Sequence, residues 1–165
     1  MSRREQSADS DDPRLDRTLP LKPGNAVGAI ISIEGRYLLQ LRDNIRGIFF
    51  PAHWGCFGGA VEAGETQEEA LIRELKEELG LELSPGEFRY FTRFDFDLSF
   101  AKLPSIWRYT YEIELTPARL DGLRVLEGAA MQLFTADEIL AFREPIAPYD
   151  AFSLWLHINR ARLIG

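Results

Sequence analysis

The 165-residue sequence has little of several features that define whole classes of proteins. Its single cysteine, Cys56, excludes a disulfide framework and a zinc site built from several thiolates. No apolar run approaches the roughly 20 residues that span a bilayer, and no apolar segment of a signal peptide follows the early arginines. A phosphate-binding P-loop, a dinucleotide fingerprint and a nucleophile–base triad signature are also missing. We therefore expect a cytoplasmic protein without a membrane partner.

The sequence carries an excess of acidic residues, and most of this excess lies in one segment. The net charge is −7, and residues 59–81 contain seven acidic and two basic residues. Such a local excess predicts a cation site better than it predicts a general solubility device. A nucleic-acid partner is not expected, because binding to phosphate backbones requires a basic face.

Composition and periodicity predict a short tail followed by one α/β domain. Residues 1–20 are rich in Arg, Ser and Asp, which predicts a disordered tail, and residues 21–165 suffice for one domain. The patterns predict strands within residues 25–33, 37–42, 54–61, 88–100, 106–115 and 128–134, and helices over 66–79, 135–141 and 149–163. This order predicts a mixed sheet flanked by helices. In the fourth strand, Phe88, Tyr90 and Phe94 fall on one face, and Phe91 is the exception.

Three glutamates of the first predicted helix share one stripe. Glu74, Glu77 and Glu78 fall together when each residue advances by roughly 100°, and the small Ala70 leaves room beside them. Exposed like charges at this spacing repel by roughly 0.2–0.5 kcal/mol per pair. A hard divalent cation such as Mg²⁺ or Mn²⁺ would remove that penalty. The alternative is a solvated acidic helix, which does not explain the glycines and Glu65 at fixed offsets before it.

These residues form a longer pattern with fixed spacing. Gly59 is followed after five residues by Glu65, and after seven more by Arg73-Glu74-Leu75, Glu77-Glu78 and Gly80. The pattern resembles the Nudix box of the Nudix hydrolase family, and the likeness extends over about residues 21–160. The resemblance implies an α/β/α sandwich with a mixed sheet between helices. It also implies Mg²⁺-dependent hydrolysis of a nucleoside diphosphate linked to another group, with Mn²⁺ as a possible substitute.

The resemblance also implies roles for individual residues. Metal ligands would be Glu74, Glu77 and Glu78, with the Gly58 carbonyl as an addition, and Glu65 and Arg73 would support them. The general base would be Glu74 or a loop residue, for which Glu127 is the candidate. Glu112 and Glu114 are further alternatives, although a solvated strand face is the favoured interpretation of both.

Candidate substrate contacts lie around the segment that leads into the box: Arg42, His53, Trp54 and Phe57. Phe49 and Phe50 could form a substrate wall beside them, but packing into the core is slightly favoured. His157, on the last predicted helix, is expected to be structural.

Departures from subfamily patterns narrow the expected substrates. Phe57 stands where many members have proline, and Asp97 stands where the ADP-ribose hydrolases have proline. Nucleotide sugars and (deoxy)nucleoside triphosphates therefore lead as substrates, and the chain would act as a monomer or homodimer. The rival hypotheses are a non-catalytic Nudix-fold nucleotide sensor, which would require an eroded box, and a hydrolase of capped RNA, which would require a basic groove.

Overall fold

Six strands and four α-helices follow one another in the computed structural model, which describes residues 23–164. The tail predicted over residues 1–20 lies outside this part of the chain. The strands are β1 (Ala26–Ile33), β2 (Arg36–Leu41), β3 (Trp54–Gly55), β4 (Arg89–Phe96), β5 (Ile106–Glu114) and β6 (Ala130–Phe134). The helices are α1 (Gln67–Leu79), α2 (Pro117–Leu120), α3 (Ala136–Leu140) and α4 (Pro148–Ile164).

The strands form one mixed sheet with β1 near its centre. Its order is β3-β2-β1-β5-β4, and β6 pairs with β2. β1 runs antiparallel to β2 and parallel to β5, and the parallel register places Ala26 opposite Arg108 and Gly28 opposite Thr110. The start of β1 therefore lies beside the first half of β5.

Each face of the sheet packs against its own helices. Val27, Ala29 and Ile31 point to one face, where they pack with Leu71 and Leu75 of α1. On the other face, Ile30, Leu39 and Trp54 pack with Ile139 of α3 and Leu154 of α4. This alternation along β1 is the period-two pattern of a strand buried on both sides. The α/β/α sandwich with a mixed sheet is thus confirmed.

Local sequence signals account for the bounds of α1. Thr66 accepts a hydrogen bond from the backbone of Glu69, the Glu69 side chain returns one to Thr66, and together they form a capping box. Gly80 ends the helix in the left-handed conformation at φ 66°, which glycine adopts without steric cost. The predicted bounds of this helix therefore agree with the structure to within one residue.

Two predicted strands differ from what the structure shows. The strand predicted over 54–61 is regular only at Trp54–Gly55, and isolated bridges to β1 follow at Phe57 and Ala60. In β4, the register with β5 shifts between Tyr90 and Thr92, which is a β-bulge at Phe91. The bulge reverses the alternation, so that Tyr90 contacts Tyr111 on the α1 side while Phe94 contacts Phe152 of α4. The prediction of one face shared by Tyr90 and Phe94 was wrong for this reason.

The solvated face predicted for Glu112 was also wrong. Only 11 % of its side chain is exposed, and its carboxylate pairs with Arg89 and Arg160 and lies 3.4 Å from His157 Nε2. Glu112 therefore joins β4, β5 and α4 on the sheet face remote from α1, and Glu114 remains exposed. Within residues 23–164, no helix is long and apolar enough to cross a membrane.

Candidate active site

Arg73 organises the carboxylates of the acidic segment. Its Nε and Nη2 donate to the two oxygens of Glu65 at 2.8 and 3.0 Å, which is the paired geometry that a guanidinium matches. Its Nη1 donates to Glu74 at 2.9 Å and to Glu77 at 3.1 Å, and Nη2 also donates to the carbonyl of Ala60. One cation thus offsets the repulsion among three carboxylates and ties α1 to the loop before it.

These contacts shift the pKa values of the groups involved. Hydrogen bonds from Arg73 hold the pKa of Glu65 at about 2, and Glu65 in turn raises the pKa of Arg73. Burial raises the pKa of Glu74 despite the opposing contact with Arg73. Glu65 and Arg73 therefore stay charged as a fixed pair, whereas the negative charge of Glu74 is only partly compensated by Arg73.

Glu78 is the most deeply buried of the three glutamates of α1. It is 7 % exposed, and it accepts hydrogen bonds from the backbone N–H of Gly58 at 2.7 Å and from Gln40 Nε2 at 3.1 Å. Burial raises its pKa to about 7, although both hydrogen bonds favour the charged form. A buried carboxylate with this perturbation, beside a second one, is typical of a functional site.

Two consecutive glycines form the floor next to these carboxylates. Gly58 has φ 126°, and a Cβ there would lie 2.5 Å from the carbonyl of Val27. A Cβ on Gly59 would lie 2.5 Å from the Glu74 carboxyl carbon. Both positions therefore require glycine, the first for backbone conformation and the second for the space that Glu74 occupies.

Glu127, in the loop before β6, lies close to Glu74 and Glu78. We call the region formed by Glu127 and the glutamates of α1 the acidic edge. The carbonyl of Glu127 accepts a hydrogen bond from Gln40 Nε2 at 3.1 Å, and the same amide nitrogen contacts Glu78. The negative charge of Glu127 is close enough to raise the pKa of Glu74 and of Glu78 as a secondary cause after burial. The structure therefore places the predicted loop glutamate next to the glutamates of α1.

The donor set of this edge fits a hard divalent cation. It offers carboxylate oxygens that are buried or half-buried and close to one another, which is the ligand type that Mg²⁺ prefers. Among residues 23–164, no three carboxylate, imidazole or thiol groups are gathered into a ready-made metal site, and Glu77 accepts a hydrogen bond from Arg73. This arrangement suits Mg²⁺, which keeps several waters and takes only one or two protein carboxylates.

A cleft of about 500 Å³ opens on the other side of Gly58 and Gly59. Its walls are mainly aromatic and aliphatic, and its charged groups are Arg42 and Arg108. The residues that line it come from the start of β1, the loop after β2, the end of β4, β5 and the start of α4: Pro23, Gly24, Asn25, Ala26, Arg42, Phe49, Phe50, Gly58, Gly59, Ala60, Phe96, Leu98, Ile106, Arg108, Pro148 and Tyr149.

Phe49 and Phe50 lie in this wall, and not in the core as the sequence slightly favoured. Phe49 is 36 % exposed, and Phe50 has φ 50°, which is strained for an aromatic residue. The Phe50 ring packs on His53 and Tyr149. The fold thus holds an aromatic side chain at the cleft at some conformational cost.

The four predicted substrate residues are placed very differently. Arg42 lines the cleft and donates from Nε to the carbonyl of Phe49 at 2.9 Å. Phe57 is fully buried in the core under α1, and Trp54 is buried against Phe134, so neither side chain is among the residues that line the cleft. His53 lies outside the lining, and its Nδ1 is 2.8 Å from the carbonyl oxygen of Pro51.

Sequence reasoning missed the polar residues that reach the site from elsewhere in the chain. Gln40 is buried in an apolar strand, and a polar residue inside such a run was the available signal. Asp150 is buried at the start of α4, where it accepts from the Cys56 N–H at 3.0 Å and pairs with Arg108 at 3.0 Å. No signal in the sequence connects Asp150 with Cys56 and Arg108, because the contacts join α4, β5 and the segment after β3.

Comparisons with known proteins agree with this architecture. A family model described as NUDIX domain matches residues 22–153. The nucleoside triphosphatase NudI of Enterobacter sp. (strain 638) is 53 % identical over 51 residues, which is 31 % of this chain and 36 % of that protein. The matched segment therefore spans about a third of the length of such curated relatives.

Solved structures resemble the chain over most of its length. The MutT protein from Methanosarcina mazei Go1 superposes with a TM-score of 0.66 at 21 % identity, covering 86 % of this chain and 96 % of that one. The E. coli ORF135 protein superposes with a TM-score of 0.63 at 30 % identity, covering 86 % of this chain and 94 % of that one. With the family model matching most of the sequence, the box on α1 and the shared sandwich, the chain belongs to the Nudix hydrolase family.

Proposed function

We propose that the chain is a Mg²⁺-dependent pyrophosphohydrolase of nucleoside diphosphate derivatives, with (deoxy)nucleoside triphosphates as the favoured substrates. One observation carries the proposal: Gly58 and Gly59 separate the carboxylates of Glu74 and Glu78 from a cleft lined by aromatic groups and arginines. A nucleoside in the cleft would bring its phosphates to the carboxylate edge. The relatives named as nucleoside triphosphatases favour triphosphates over nucleotide sugars.

Glu74 and Glu78 would hold the cation, with Glu77 and the Gly58 carbonyl as additional ligands. When bound, the cation would neutralise phosphate charge and acidify the attacking water. Arg73 and Glu65 act by position, because their hydrogen bonds fix the orientation of Glu74. Gln40 and the Gly58 N–H do the same for Glu78.

We assign the general base to Glu127, with Glu74 as the alternative. Among residues 23–164 no donor reaches the Glu127 carboxylate, whereas Glu74 already accepts a hydrogen bond from Arg73. A carboxylate without such a donor is better placed to take a proton from water. Glu127→Gln should lower kcat by about 100-fold or more, as removal of a general base does, and should leave the Mg²⁺ activation curve unchanged. Wild-type kinetics in this variant would return the role to Glu74.

The function is tested by hydrolysis of a panel of nucleoside triphosphates and nucleotide sugars with added Mg²⁺ and with excess EDTA. We expect release of a nucleoside monophosphate from triphosphates, dependent on Mg²⁺ or Mn²⁺ and abolished by the chelator. Turnover that persists in EDTA would contradict the metal requirement. Nucleotide binding without hydrolysis of any member of the panel would support the sensor hypothesis instead.

A further inference from the structure

Arg108 is held rigidly inside the cleft from three sides. Its Nη2 pairs with Oδ1 of Asp150 at 3.0 Å, and its guanidinium carbon lies 4.5 Å from the centroid of the Tyr149 ring. On the third side is the backbone of Gly28, where a Cβ would come within 3.1 Å of Nη2. With 13 % of the side chain exposed, Arg108 presents a fixed part of its guanidinium to the cleft.

One nitrogen of this guanidinium is available to a ligand. Nε is sealed from solvent and has no hydrogen-bond partner, and Nη2 is occupied by Asp150. Nη1 is neither sealed in this way nor hydrogen-bonded to any residue within 23–164. Since Arg108 lines the cleft, Nη1 is the nitrogen of its guanidinium that remains free for a ligand.

Asn25 supplies a second donor in the wall of the same cleft. Its Oδ1 accepts a hydrogen bond from the backbone N–H of Trp107 at 3.1 Å, and this contact fixes which way the amide faces. The Nδ2 group is then turned away from Trp107 and has no acceptor in the described part of the chain. Asn25 precedes Ala26, the partner of Arg108 in the strand register, and Asn25 and Arg108 both line the cleft.

Carboxylate acceptors are missing from the described part of the same wall. No aspartate or glutamate is among the described residues that line the cleft. The nearby Asp150 is 2 % exposed, and its oxygens are already used by Arg108 and the Cys56 N–H. A ligand atom that accepts hydrogen bonds therefore complements Arg108 Nη1 and Asn25 Nδ2, whereas an amino group placed against these two nitrogens would meet only donors.

We propose that Arg108 and Asn25 select nucleotides whose base carries a carbonyl where adenine and cytosine carry their exocyclic amino group, namely guanine, uracil or thymine. The inference rests on the proposed function and names the base class that the same site takes. Guanine and adenine differ at one edge by a carbonyl in place of an amino group, and so do uracil and cytosine. The aromatic side chains Phe49 and Phe50 supply faces for a flat base.

The test compares binding of GMP, UMP, AMP and CMP to the full chain by isothermal titration calorimetry, in parallel with hydrolysis of the four triphosphates. In AMP and CMP, an amino group would face the two donors, and these hydrogen bonds would stay unmade. GMP and UMP should therefore bind about 5- to 100-fold more tightly than AMP and CMP. Monophosphate binding measures base recognition without requiring turnover.

Two variants locate the selectivity. Asn25→Asp keeps the acceptor for Trp107 but replaces the free donor with an acceptor, and it should narrow or invert the ratio between carbonyl and amino bases. Arg108→Met is made together with Asp150→Asn, because removing the arginine alone would leave a buried carboxylate unpaired. The double variant should bring the four affinities close together, with thermal unfolding as the check on folding. Arg93→Met, an exposed change on β4 outside the cleft, is the matched control and should keep the wild-type ratio.

The outcomes separate the inference from the proposed function. Equal affinity for the four monophosphates, or an equal loss for all four in Asn25→Asp, would overturn the inference even if the triphosphates are hydrolysed. Failure to hydrolyse any triphosphate would overturn the proposed function, and the ratio of monophosphate affinities would still decide the inference.

Discussion

The two regions on either side of Gly58 and Gly59 differ in how far the chain itself satisfies the hydrogen bonds of their polar groups. At the acidic edge, Glu65, Glu74, Glu77 and Glu78 all accept hydrogen bonds from other residues of the chain. In the cleft, Arg108 and Asn25 keep donors that no residue within 23–164 satisfies. The carboxylates of the first region are therefore oriented by donors of the chain itself, whereas the second region keeps donors open for the proposed ligand.

A glycine makes room for a charged side chain in each region. Gly59 leaves the space that Glu74 occupies, and Gly28 leaves the space that Arg108 occupies. An added Cβ would meet the Glu74 carboxyl carbon at 2.5 Å but Arg108 Nη2 only at 3.1 Å. The acidic edge is therefore the more tightly fitted of the two, and substitutions there should have the larger effects.

Glu78→Gln should produce the largest effect on activity. The change keeps the side-chain volume but replaces a proposed ligand oxygen with an amide, so the loss should exceed the about 10- to 100-fold that is typical for partners of metal ligands. Thermal unfolding of the metal-free protein should stay the same or rise, because a buried charge beside Glu74 is removed. Steady-state kinetics and calorimetric unfolding measure the two quantities.

Glu68→Gln is the matched control for this substitution. Glu68 lies on the same helix and is exposed, so the activity of the Glu68→Gln variant should remain at the wild-type level. An unchanged rate in Glu78→Gln would assign Glu78 to a structural role only.

Gly59→Ala should lower kcat by about 100-fold, since a displacement of about 1 Å at a reacting site has that cost. The Cβ pushes the Glu74 carboxylate from its position, while Arg73 resists the movement from the other side. Folding should be little affected, because φ at Gly59 is not in the left-handed region. Gly122→Ala, where the nearest atom is 3.4 Å away, provides the control. Wild-type kcat in Gly59→Ala would show that Glu74 has freedom to move.

The acidic edge could be predicted from the sequence because its contacts are local. Glu65, Arg73, Glu74 and Glu77 lie within thirteen residues on one helix and the turn before it. Helical geometry and the cap at Thr66 therefore fix their relative positions almost alone. The sandwich fold followed from the same pattern through the family resemblance.

The cleft could not be predicted in this way because distant segments build it. Arg108 meets Asp150 from β5 and α4, and Asn25 meets Trp107 across 82 positions of the sequence. The aromatic residues Trp54 and Phe57 look alike in sequence to Phe49 and Phe50, yet only the latter pair lines the cleft. Which aromatic side chains are buried depends on how β3 and α4 pack, which no local pattern encodes.

Arg73→Lys should lower activity by about 10- to 100-fold, as loss of a group that orients metal ligands does. Lysine keeps the charge but cannot donate to Glu65, Glu74 and Ala60 at once. The kinetic loss should appear in kcat and in the Mg²⁺ requirement. Normal values of both would show that charge alone suffices at this position.

The same variant changes how stability depends on pH. Arg73 holds the pKa of Glu65 at about 2, below the ordinary value of 4.5, so the pair stabilises the folded protein above about pH 4.5. That contribution is lost as the pH falls through about 2. Arg73→Lys should therefore make the unfolding temperature depend less steeply on pH in this range. Thermal unfolding between pH 5 and 2 measures it, and parallel curves for the two proteins would contradict the assignment.

Gly28→Ala should give the smallest effect and should act on binding instead of turnover. The new Cβ would press on the Nη2 end of Arg108 and should displace it by a few tenths of an ångström, so affinity should fall by less than about tenfold. Alanine is at no disadvantage in the extended backbone of β1. Because alanine has less conformational freedom than glycine in the unfolded chain, it also stabilises the folded protein by about 0.4–1 kcal/mol, which offsets the strain at Arg108. We therefore expect a raised KM, an unchanged kcat and a nearly unchanged unfolding temperature. A loss of kcat as large as that of Gly59→Ala would show that the cleft and the acidic edge are coupled, and would end the distinction between a region oriented by donors of the chain itself and one that keeps donors open for the proposed ligand.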